Sequence, residues 1–266
     1  MPAPRTVFVT LCDERYFDYA KITIRELRTA GKWYGDTVLI TVDCDAPEEF
    51  LEQYSIQQYR VQHTDTSLLV KAYEKYPLTS GDNRHLGKLT QWDKFYLFSE
   101  YFRKWDRVLF MDAGMRIYNS IHILFTLPWQ GKLVAPSGGD PYSETNRLST
   151  QIRDTENPEA AVVLYADFPK PLFEKQDFLN GIFMYDTALL DKVSMSNMVV
   201  AMNKYPLCGC NEMTIMNIIF NLQLDVWGRI PQKIGDQYIF NYSDRNFNRG
   251  ENVKLTDFVC LKYPSH

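Results

Sequence analysis

The sequence predicts an α/β fold with a mostly parallel central sheet flanked by helices. Short apolar runs with strand character alternate with segments of helical periodicity from residue 6 onward, as in parallel strands joined by crossover helices. Residues 108–111 are all apolar and lead directly into Asp112, which is typical of a buried strand. The chain has 266 residues, 45% of them hydrophobic, which is ample for one large core.

The predicted elements follow one another in a regular order. They are a strand over 6–11, a helix ending at Gly31, a strand over 37–42, a helix opened by Pro47, a short helix over 69–76 in the polar stretch 62–87, a helix over 88–103, and then strands over 107–111, 133–135 and 182–185 and a helix over 212–222. We expect one domain covering 1–266.

Periodicity and turn residues justify the elements of the N-terminal half. Residues 6–11 and 37–42 are short apolar runs rich in β-branched side chains. Proline is favourable in the first turn of a helix, so Pro47 marks a helix start. The first helix has an apolar stripe at Ala20, Thr23, Ile24 and Leu27. The helix over 88–103 has its apolar positions at Leu89, Trp92, Phe95, Tyr96 and Phe102.

The C-terminal half contains a long polar stretch between strands. Residues 137–176 are rich in Asp, Glu, Pro and Ser, which predicts an insertion or excursion from the sheet. Long loops often close over ligands, so we expect this stretch to shape acceptor binding or to cover the ligand. The helix over 212–222 is apolar nearly all round and is therefore expected to be buried.

Composition excludes several classes of protein. The formal net charge is −4 and no basic stripe is present, which argues against nucleic-acid binding. The sequence contains no run of about 18 apolar residues, so no membrane span is predicted. The five cysteines are odd in number and scattered, and no signal-peptide pattern opens the chain, so we expect reduced thiols in a cytoplasmic protein.

Missing motifs narrow the choice among α/β proteins. The sequence contains no G-x-x-x-x-G-K-[ST] loop, which argues against a P-loop enzyme. No G-x-G-x-x-G follows the first strand, which argues against a dinucleotide-dependent oxidoreductase. No G-x-S-x-G elbow is present, which argues against an α/β-hydrolase.

The central chemical signal is Asp112 at the tip of a buried strand. In open α/β sheets, ligands bind outside the carboxyl ends of the strands. A carboxylate there is suited to a hard cation that also holds phosphate oxygens. The alternative is that Asp112 caps a turn, and we favour the functional interpretation because the segments described next agree with it.

Five segments, in matching order along the chain, resemble those of glycogenin-like (family 8 type) retaining glycosyltransferases. The segments are VFVTLCDERYFDYAKITIREL (7–27), QWDKFYLFSEYF (91–102), RVLFMDAGMRIYNSIHIL (107–124), FLNGIF (178–183) and CNEMTIMN (210–217). The resemblance implies a GT-A fold and transfer of a sugar, with retention, from a nucleotide diphosphate donor. That donor would be a UDP-sugar, and the acceptor a glycan, a protein or a small molecule.

The same resemblance assigns residues around the nucleotide of the donor. Tyr16 lies where the family stacks a tyrosine on uracil, and Thr10 and Leu11 lie near the base. Asp43 is expected to reach the ribose or the base. Lys94 matches a lysine that binds the donor.

The remaining assignments concern the pyrophosphate and the transferred sugar. Asp112, with its neighbours Ala113, Gly114 and Arg116, is placed at the pyrophosphate. Asn180 and Glu212 would face the transferred sugar. The alternative for Glu212 is that it complements the dipole at a helix N-terminus, and for Asn180 that it bonds a turn.

The sequence departs from the family at its metal site. The family's Asp-x-Asp motif reads Asp112-Ala113-Gly114, so one of the two carboxylates that would hold Mn²⁺ or Mg²⁺ is missing. Mg²⁺ needs few protein ligands, so we predict Mn²⁺ or Mg²⁺ on Asp112 with His266, Asp43 or Asp45 as a further ligand. Alternatively, basic side chains neutralise the diphosphate in place of the metal. The candidates are Lys88, Lys94, Arg116 and Lys262.

Two other functional classes stay open. The lost carboxylate at Gly114 is compatible with a catalytically inactive protein that binds sugar nucleotides or glycans. A nucleotidyltransferase ranks third, since residues 12–16 lack the Gly-rich basic loop expected after its first strand.

Overall fold

The computed structural model describes residues 3–78, 88–139, 146–242 and 253–263. Two sheets are present in these parts of the chain. The strands are β1 (Thr6–Cys12), β2 (Asp36–Val42), β3 (Gln57–Val61), β4 (Arg107–Met111), β5 (Met115–Ile117), β6 (Leu133–Pro136), β7 (Ile182–Asp186), β8 (Trp227–Ile230), β9 (Lys233–Ile234), β10 (Gln237–Tyr242) and β11 (Phe258–Lys262). The α-helices are α1 (Phe17–Thr29), α2 (Glu48–Tyr54), α3 (Ser67–Lys75), α4 (Pro158–Asp167), α5 (Met195–Lys204) and α6 (Glu212–Asn217).

The larger sheet has seven strands in the order β3-β2-β1-β4-β7-β6-β8. Strands β1 to β4 run parallel, β7 is antiparallel to its neighbours β4 and β6, and β6 is parallel to β8. A mixed α/β fold with a mostly parallel central sheet flanked by helices is therefore confirmed. The strands before and after the polar stretch 137–176, β6 and β7, are direct neighbours in this sheet.

The first half of the chain folds largely as its periodicity predicts. Strands β1 and β2 lie within one residue of their predicted limits, and β4 covers 107–111 as predicted. The predicted apolar stripe of α1 is fully buried. Strand β3, which no pattern in the sequence indicated, extends the sheet beyond β2.

The segment 88–103 is not one regular α-helix, contrary to prediction. It forms two 3₁₀-helices, Leu89–Phe98 and Glu100–Lys104, separated by Ser99 in an extended conformation. A 3₁₀-helix has three residues per turn, so side chains three apart lie on the same face. Trp92, Phe95 and Phe98 have that spacing and are fully buried. A spacing of three is also compatible with an α-helix, which is why the sequence pattern predicts one.

The helix predicted over 212–222 is present and buried, but it changes type. Its first part is α6, and a π-helix, Ile218–Gln223, continues it. The polar stretch 137–176 contains α4 and the short 3₁₀-helices Leu148–Gln151 and Lys170–Glu174. Its role as an insertion that shapes acceptor binding or covers the ligand stays a prediction.

A second, four-stranded sheet in the order β5-β11-β10-β9 lies beyond the end of β4. Strand β5 begins three residues after Asp112, and β11 pairs antiparallel with it, Lys262 opposite Met115. The sequence patterns did not indicate this sheet. It brings the C-terminal part of the chain next to the tip of β4.

Candidate active site

Several chain ends meet at one edge of the larger sheet. The carboxyl ends of the parallel strands β1, β2 and β4 lie there, and the antiparallel β7 begins there, with Ile182 opposite Met111. Asp112 follows β4 directly, and its backbone N–H donates to the Gly181 carbonyl at 2.8 Å. This bond fixes Asp112 beside the loop that carries Asn180.

Five side chains form an ionic cluster at this edge, which we call the acid–lysine cluster: Lys94, Asp112, Asn180, Glu212 and Lys262. The Lys94 Nζ lies 2.9 Å from Asp112 Oδ1 and 2.9 Å from Glu212 Oε1. Asn180 Nδ2 donates to the same Glu212 oxygen at 2.8 Å. Lys262 Nζ lies 3.4 Å from Asp112 Oδ2 and donates to the Ala113 carbonyl at 2.8 Å.

The acid–lysine cluster comes from five separate parts of the chain. Lys94 belongs to the 3₁₀-helix Leu89–Phe98, and Glu212 is the first residue of α6. Asn180 precedes β7, and Lys262 ends β11 in the second sheet. The structure therefore brings together four of the predicted site residues, Lys94, Asp112, Asn180 and Glu212, and adds Lys262, which the sequence offered among its basic candidates.

Exposure divides this cluster into an inner and an outer part. Lys94, Asn180 and Glu212 are buried. The side chains of Asp112 and Lys262 are 21% and 19% exposed, so these two are the members that a ligand can approach from solvent.

The charges in the cluster stabilise one another. Burial by itself would raise the pKa of Asp112, but Lys262 and Lys94 hold it below its ordinary value. Burial by itself would lower the pKa of Lys94, but the Asp112 and Glu212 carboxylates outweigh it and raise the pKa. Burial lowers the pKa of Lys262. The Asp112 carboxylate raises this pKa, whereas the ammonium groups of Lys94 and Lys88 lower it further, and the net effect is a lowered pKa. Lys88 is thus a third lysine close to this edge.

One carboxylate oxygen in the cluster is unsatisfied. Glu212 Oε1 accepts from Lys94 and Asn180, whereas Oε2 is buried and has no hydrogen-bond partner among the described residues. A buried acceptor without a donor costs about 1–3 kcal/mol, and more when it is charged. A ligand hydroxyl is the kind of donor that would satisfy it.

The backbone on both sides of the cluster adopts conformations that favour glycine. Asn211, directly before Glu212, has φ +49° and ψ −131°, and its side-chain amide donates to Gln91 Oε1 at 2.9 Å. Gly114 has φ +81°. Strained backbone at a non-glycine residue is concentrated at functional sites, so Asn211 marks this edge independently of its charges.

Helix α1 holds the turn after Asp112 in place. Thr23 Oγ1 accepts from the Gly114 N–H at 3.1 Å and donates to the Met115 carbonyl at 2.9 Å. A Cβ at Gly114 would lie 3.4 Å from the Tyr19 ring. Nothing in the sequence indicated this role of Thr23 beyond its place on the apolar stripe of α1.

Tyr16 forms an aromatic pair beside this turn. Its ring centroid lies 5.8 Å from that of Tyr19, at an interplanar angle of 41°. Tyr19 is partly exposed and lies next to Gly114, so the pair connects the predicted base position with the tip of β4. Tyr19 follows Tyr16 by three residues at the start of a helix, and this spacing was the sequence pattern that could have indicated contact between the two rings.

The remaining predicted nucleotide contacts lie at the ends of β1 and β2. The Thr10 side chain is fully buried and Leu11 is half-buried. Asp43 follows β2 with φ +51°, is about half exposed, and lies 3.7 Å from His63 Nε2. Their roles at a base or ribose stay predictions.

Arg116 lies outside the cluster. Its guanidinium pairs with Glu26 of α1, with Nη2 2.6 Å and Nε 2.7 Å from Oε1. The predicted metal ligand His266 lies outside the described residues.

The described residues do not offer a ready site for a divalent ion. No group of three or more His, Cys, Asp or Glu side chains is placed to hold a metal within 3–78, 88–139, 146–242 and 253–263. Asp45, a predicted alternative ligand, pairs with Arg60 at 2.8 Å. Both oxygens of Asp112 already contact lysine ammonium groups.

Comparison with solved structures identifies the fold. The chain superposes on the galactosyltransferase LgtC in complex with donor and acceptor sugar analogs, with a TM-score of 0.59, 14% identity, and coverage of 97% of this chain and 87% of that one. It superposes on the glycosyltransferase GlyE of Streptococcus pneumoniae with a TM-score of 0.54, 12% identity and coverage of 87% and 46%. The chain thus spans about half the length of GlyE.

A third similar structure contains a metal and a nucleotide. The Mn/GDP form of core-mannan synthase A (CmsA/Ktr4) from Aspergillus fumigatus superposes with a TM-score of 0.50, 10% identity and coverage of 89% and 76%. No protein-family profile and no curated protein sequence matches the chain.

The architecture is therefore that of the GT-A glycosyltransferases, with an ionic cluster at the edge of the sheet where ligands of α/β proteins bind. Within the parts of the chain described here, no helix combines the length and apolar character needed to cross a bilayer.

Proposed function

We propose that this protein transfers a sugar from a nucleotide diphosphate donor, a UDP-sugar, to a hydroxyl of a glycan, protein or small-molecule acceptor, with retention of configuration. The observation that carries the proposal is the acid–lysine cluster at the carboxyl edge of a GT-A sheet. The ordered resemblance of five segments to family 8 enzymes supports the donor class and the stereochemistry.

The reaction requires charge to be neutralised at the diphosphate. The bond between the anomeric carbon and the β-phosphate oxygen breaks, and a bond from that carbon to the acceptor oxygen forms. The acceptor proton leaves with the released nucleoside diphosphate. Preorganised positive charge at the departing oxygen lowers the barrier of such a step.

Local charge at the site is suited to this task. The ammonium groups of Lys94 and Lys262 face the carboxylates of Asp112 and Glu212, and the ammonium group of Lys88 is close enough to lower the pKa of Lys262. The partly exposed ammonium group of Lys262 is available to a diphosphate.

Glu212 and Asn180 are proposed to contact the transferred sugar. Lys94 holds Glu212 by Oε1, and the free Oε2 is left to accept from a sugar hydroxyl. The fixed negative charge of Glu212 also stabilises the oxocarbenium-like centre that glycosyl transfer generates. Asn180 positions the same Glu212 oxygen through its amide.

The predicted Mn²⁺ or Mg²⁺ stays a prediction of the family resemblance. Bound next to Asp112, such an ion would supply positive charge to the pyrophosphate. The Mn/GDP form of a similar structure supports metal use in that relative. The donor set of this chain is less favourable, since both Asp112 oxygens contact lysines.

The direct test measures donor cleavage and transfer. The purified protein is incubated with UDP- and GDP-sugars, with and without an acceptor mixture and Mn²⁺, and released nucleoside diphosphate is quantified. We expect release of UDP from one of the UDP-sugars. Glu212→Gln should lower kcat by about 10²-fold, the size typical of losing one preorganised electrostatic group.

A matched variant separates a site effect from a general one. Asp191 is an exposed carboxylate that also pairs with a basic side chain, Arg103 at 2.6 Å, outside the cluster. Asp191→Asn should leave kcat unchanged. Thermal stabilisation by a donor without any release would favour the sugar-nucleotide binding protein instead, and neither stabilisation nor release with any donor would overturn the proposal.

A further inference from the structure

In the acid–lysine cluster, lysine ammonium groups occupy the position beside Asp112 where the family resemblance predicts a metal ion. Lys262 Nζ lies against Asp112 Oδ2 and the Ala113 carbonyl, and Lys94 Nζ lies against Asp112 Oδ1. Carboxylate and carbonyl oxygens are the ligands that a hard divalent cation uses. Here both types already contact ammonium groups.

Gly114 stands where the family has its second carboxylate, and the backbone there favours glycine. Gly114 has φ +81°, a conformation that side chains rarely adopt, and its N–H is bonded to Thr23. A Cβ at this position would be in contact with the Tyr19 ring. The loss of the carboxylate is therefore accompanied by a turn that does not readily accept one.

Lys262 is held firmly in its position. Strand β11 pairs with β5 on one side and with β10 on the other, and Lys262 itself lies opposite Met115 and Tyr242. Its side chain is 19% exposed, so its ammonium group is reachable from solvent while two of its hydrogen-bond directions are used by Asp112 and Ala113. An ammonium group has three donors, which leaves one for a phosphate oxygen.

From these contacts we propose that the Lys262 ammonium replaces the divalent cation at Asp112, so that the diphosphate of the donor binds without metal. This inference rests on the proposed function and specifies how that same site holds its ligand. Asp112 acts as the residue that positions Lys262, and Lys94 and Lys88 add positive charge. A divalent ion would have to displace Lys262 from Asp112 and approach two further ammonium groups, which repel it.

The test is isothermal titration of the wild-type protein with UDP and with GDP, each in excess EDTA and in Mn²⁺. We expect UDP to bind, with dissociation constants that agree within about threefold between the two conditions. Mn²⁺ alone should neither bind nor raise the Tm. This measurement needs no variant and so does not depend on a variant folding.

The variant Lys262→Met then tests the residue. It keeps the aliphatic part of the side chain and removes the charge. In EDTA we expect affinity for the diphosphate to fall about 10- to 100-fold, as for the loss of one charge-assisted hydrogen bond. Mn²⁺ should recover part of the loss, since Asp112 Oδ2 is then free to bind it. A purely structural role for Lys262 would not create metal dependence.

The control is Lys204→Met, because Lys204 also pairs with an aspartate, Asp167 at 2.6 Å, but lies on α5 away from the cluster. It should bind nucleotide as wild type does. Binding by the wild type only in Mn²⁺ would overturn the metal-free inference and leave the transferase proposal intact. Absence of any nucleotide binding in both conditions would overturn the transferase proposal and the inference with it.

Discussion

Replacing Lys94 by methionine tests the energetic core of the acid–lysine cluster. Lys94 is buried, and its two carboxylate contacts are 2.9 Å long, so each would be worth about 6 kcal/mol at an effective dielectric constant near 20, before desolvation. Desolvation of the buried ammonium offsets much of this attraction. Breaking a buried ion pair by removing one partner costs about 3–5 kcal/mol in practice.

The Lys94→Met variant should therefore lose about 3–5 kcal/mol of unfolding free energy. For a chain of this size, that corresponds to a decrease in Tm of about 6–20 °C. Most of the loss arises at Glu212, which is buried and keeps only Asn180, whereas Asp112 retains Lys262. Urea denaturation followed by circular dichroism measures the free energy, and differential scanning calorimetry the Tm.

The double variant Lys94→Met with Glu212→Gln distinguishes a buried unpaired charge from lost packing. Removing both partners of a buried pair is far less costly than removing one. We expect the second substitution to recover at least half of the stability lost in the first. A single variant as stable as the wild type, or a double variant whose loss equals the sum of both single losses, would refute this account of the cluster.

The pH dependence of stability follows from the same charges. The raised pKa of Lys94 gives stability that is present below about pH 10 and is lost as the pH rises through its folded value. The lowered pKa of Asp112 gives stability that is present above about pH 4 and is lost as the pH falls through its folded value.

Three further predictions concern residues around the cluster. Gly114→Asp, which restores the family motif, should cost about 1–3 kcal/mol because of its φ of +81°, and thermal melts with Mn²⁺ should show no gain. Tyr16→Ala should weaken nucleotide binding by about 1–3 kcal/mol, the value of one base–aromatic stack, as measured by titration calorimetry. The control is Tyr34→Ala, which removes a side chain that is 76% exposed and should leave binding unchanged. Asn217→Ala should lower the unfolding free energy by about 1–3 kcal/mol, since the buried Phe178 N–H and C=O lose their partner, and a Tm equal to wild type would contradict this.

Local patterns in the sequence determined the central strands and the tip of β4. Periodicity and β-branched runs fix β1, β2 and β4, since a strand buried on both faces has to be apolar along its length. The end of β4 is also predictable, because the charged residue Asp112 ends the apolar run. The position of Asp112 at the tip of this strand was therefore predictable before any tertiary contact was known.

The 3₁₀-helix Leu89–Phe98 could not be predicted from the sequence pattern. Trp92, Phe95 and Phe98 follow a spacing of three that an α-helix tolerates, so the sequence pattern alone does not separate it from a 3₁₀-helix. Burial of all three against the sheet selects the tighter helix. It is this helix that directs Lys94 to Asp112 and Glu212.

The pairing of the cluster was decided by tertiary structure. Lys262 is 150 residues from Asp112 in the sequence, and it reaches Asp112 because β11 pairs with β5 in the second sheet. The sequence supplied lysines as candidates but could not choose between Lys262 and Arg116, which pairs with Glu26 instead. Such a choice depends on which distant strands pair and in which register, and a one-residue change of register would turn the Lys262 side chain to the other face of the sheet.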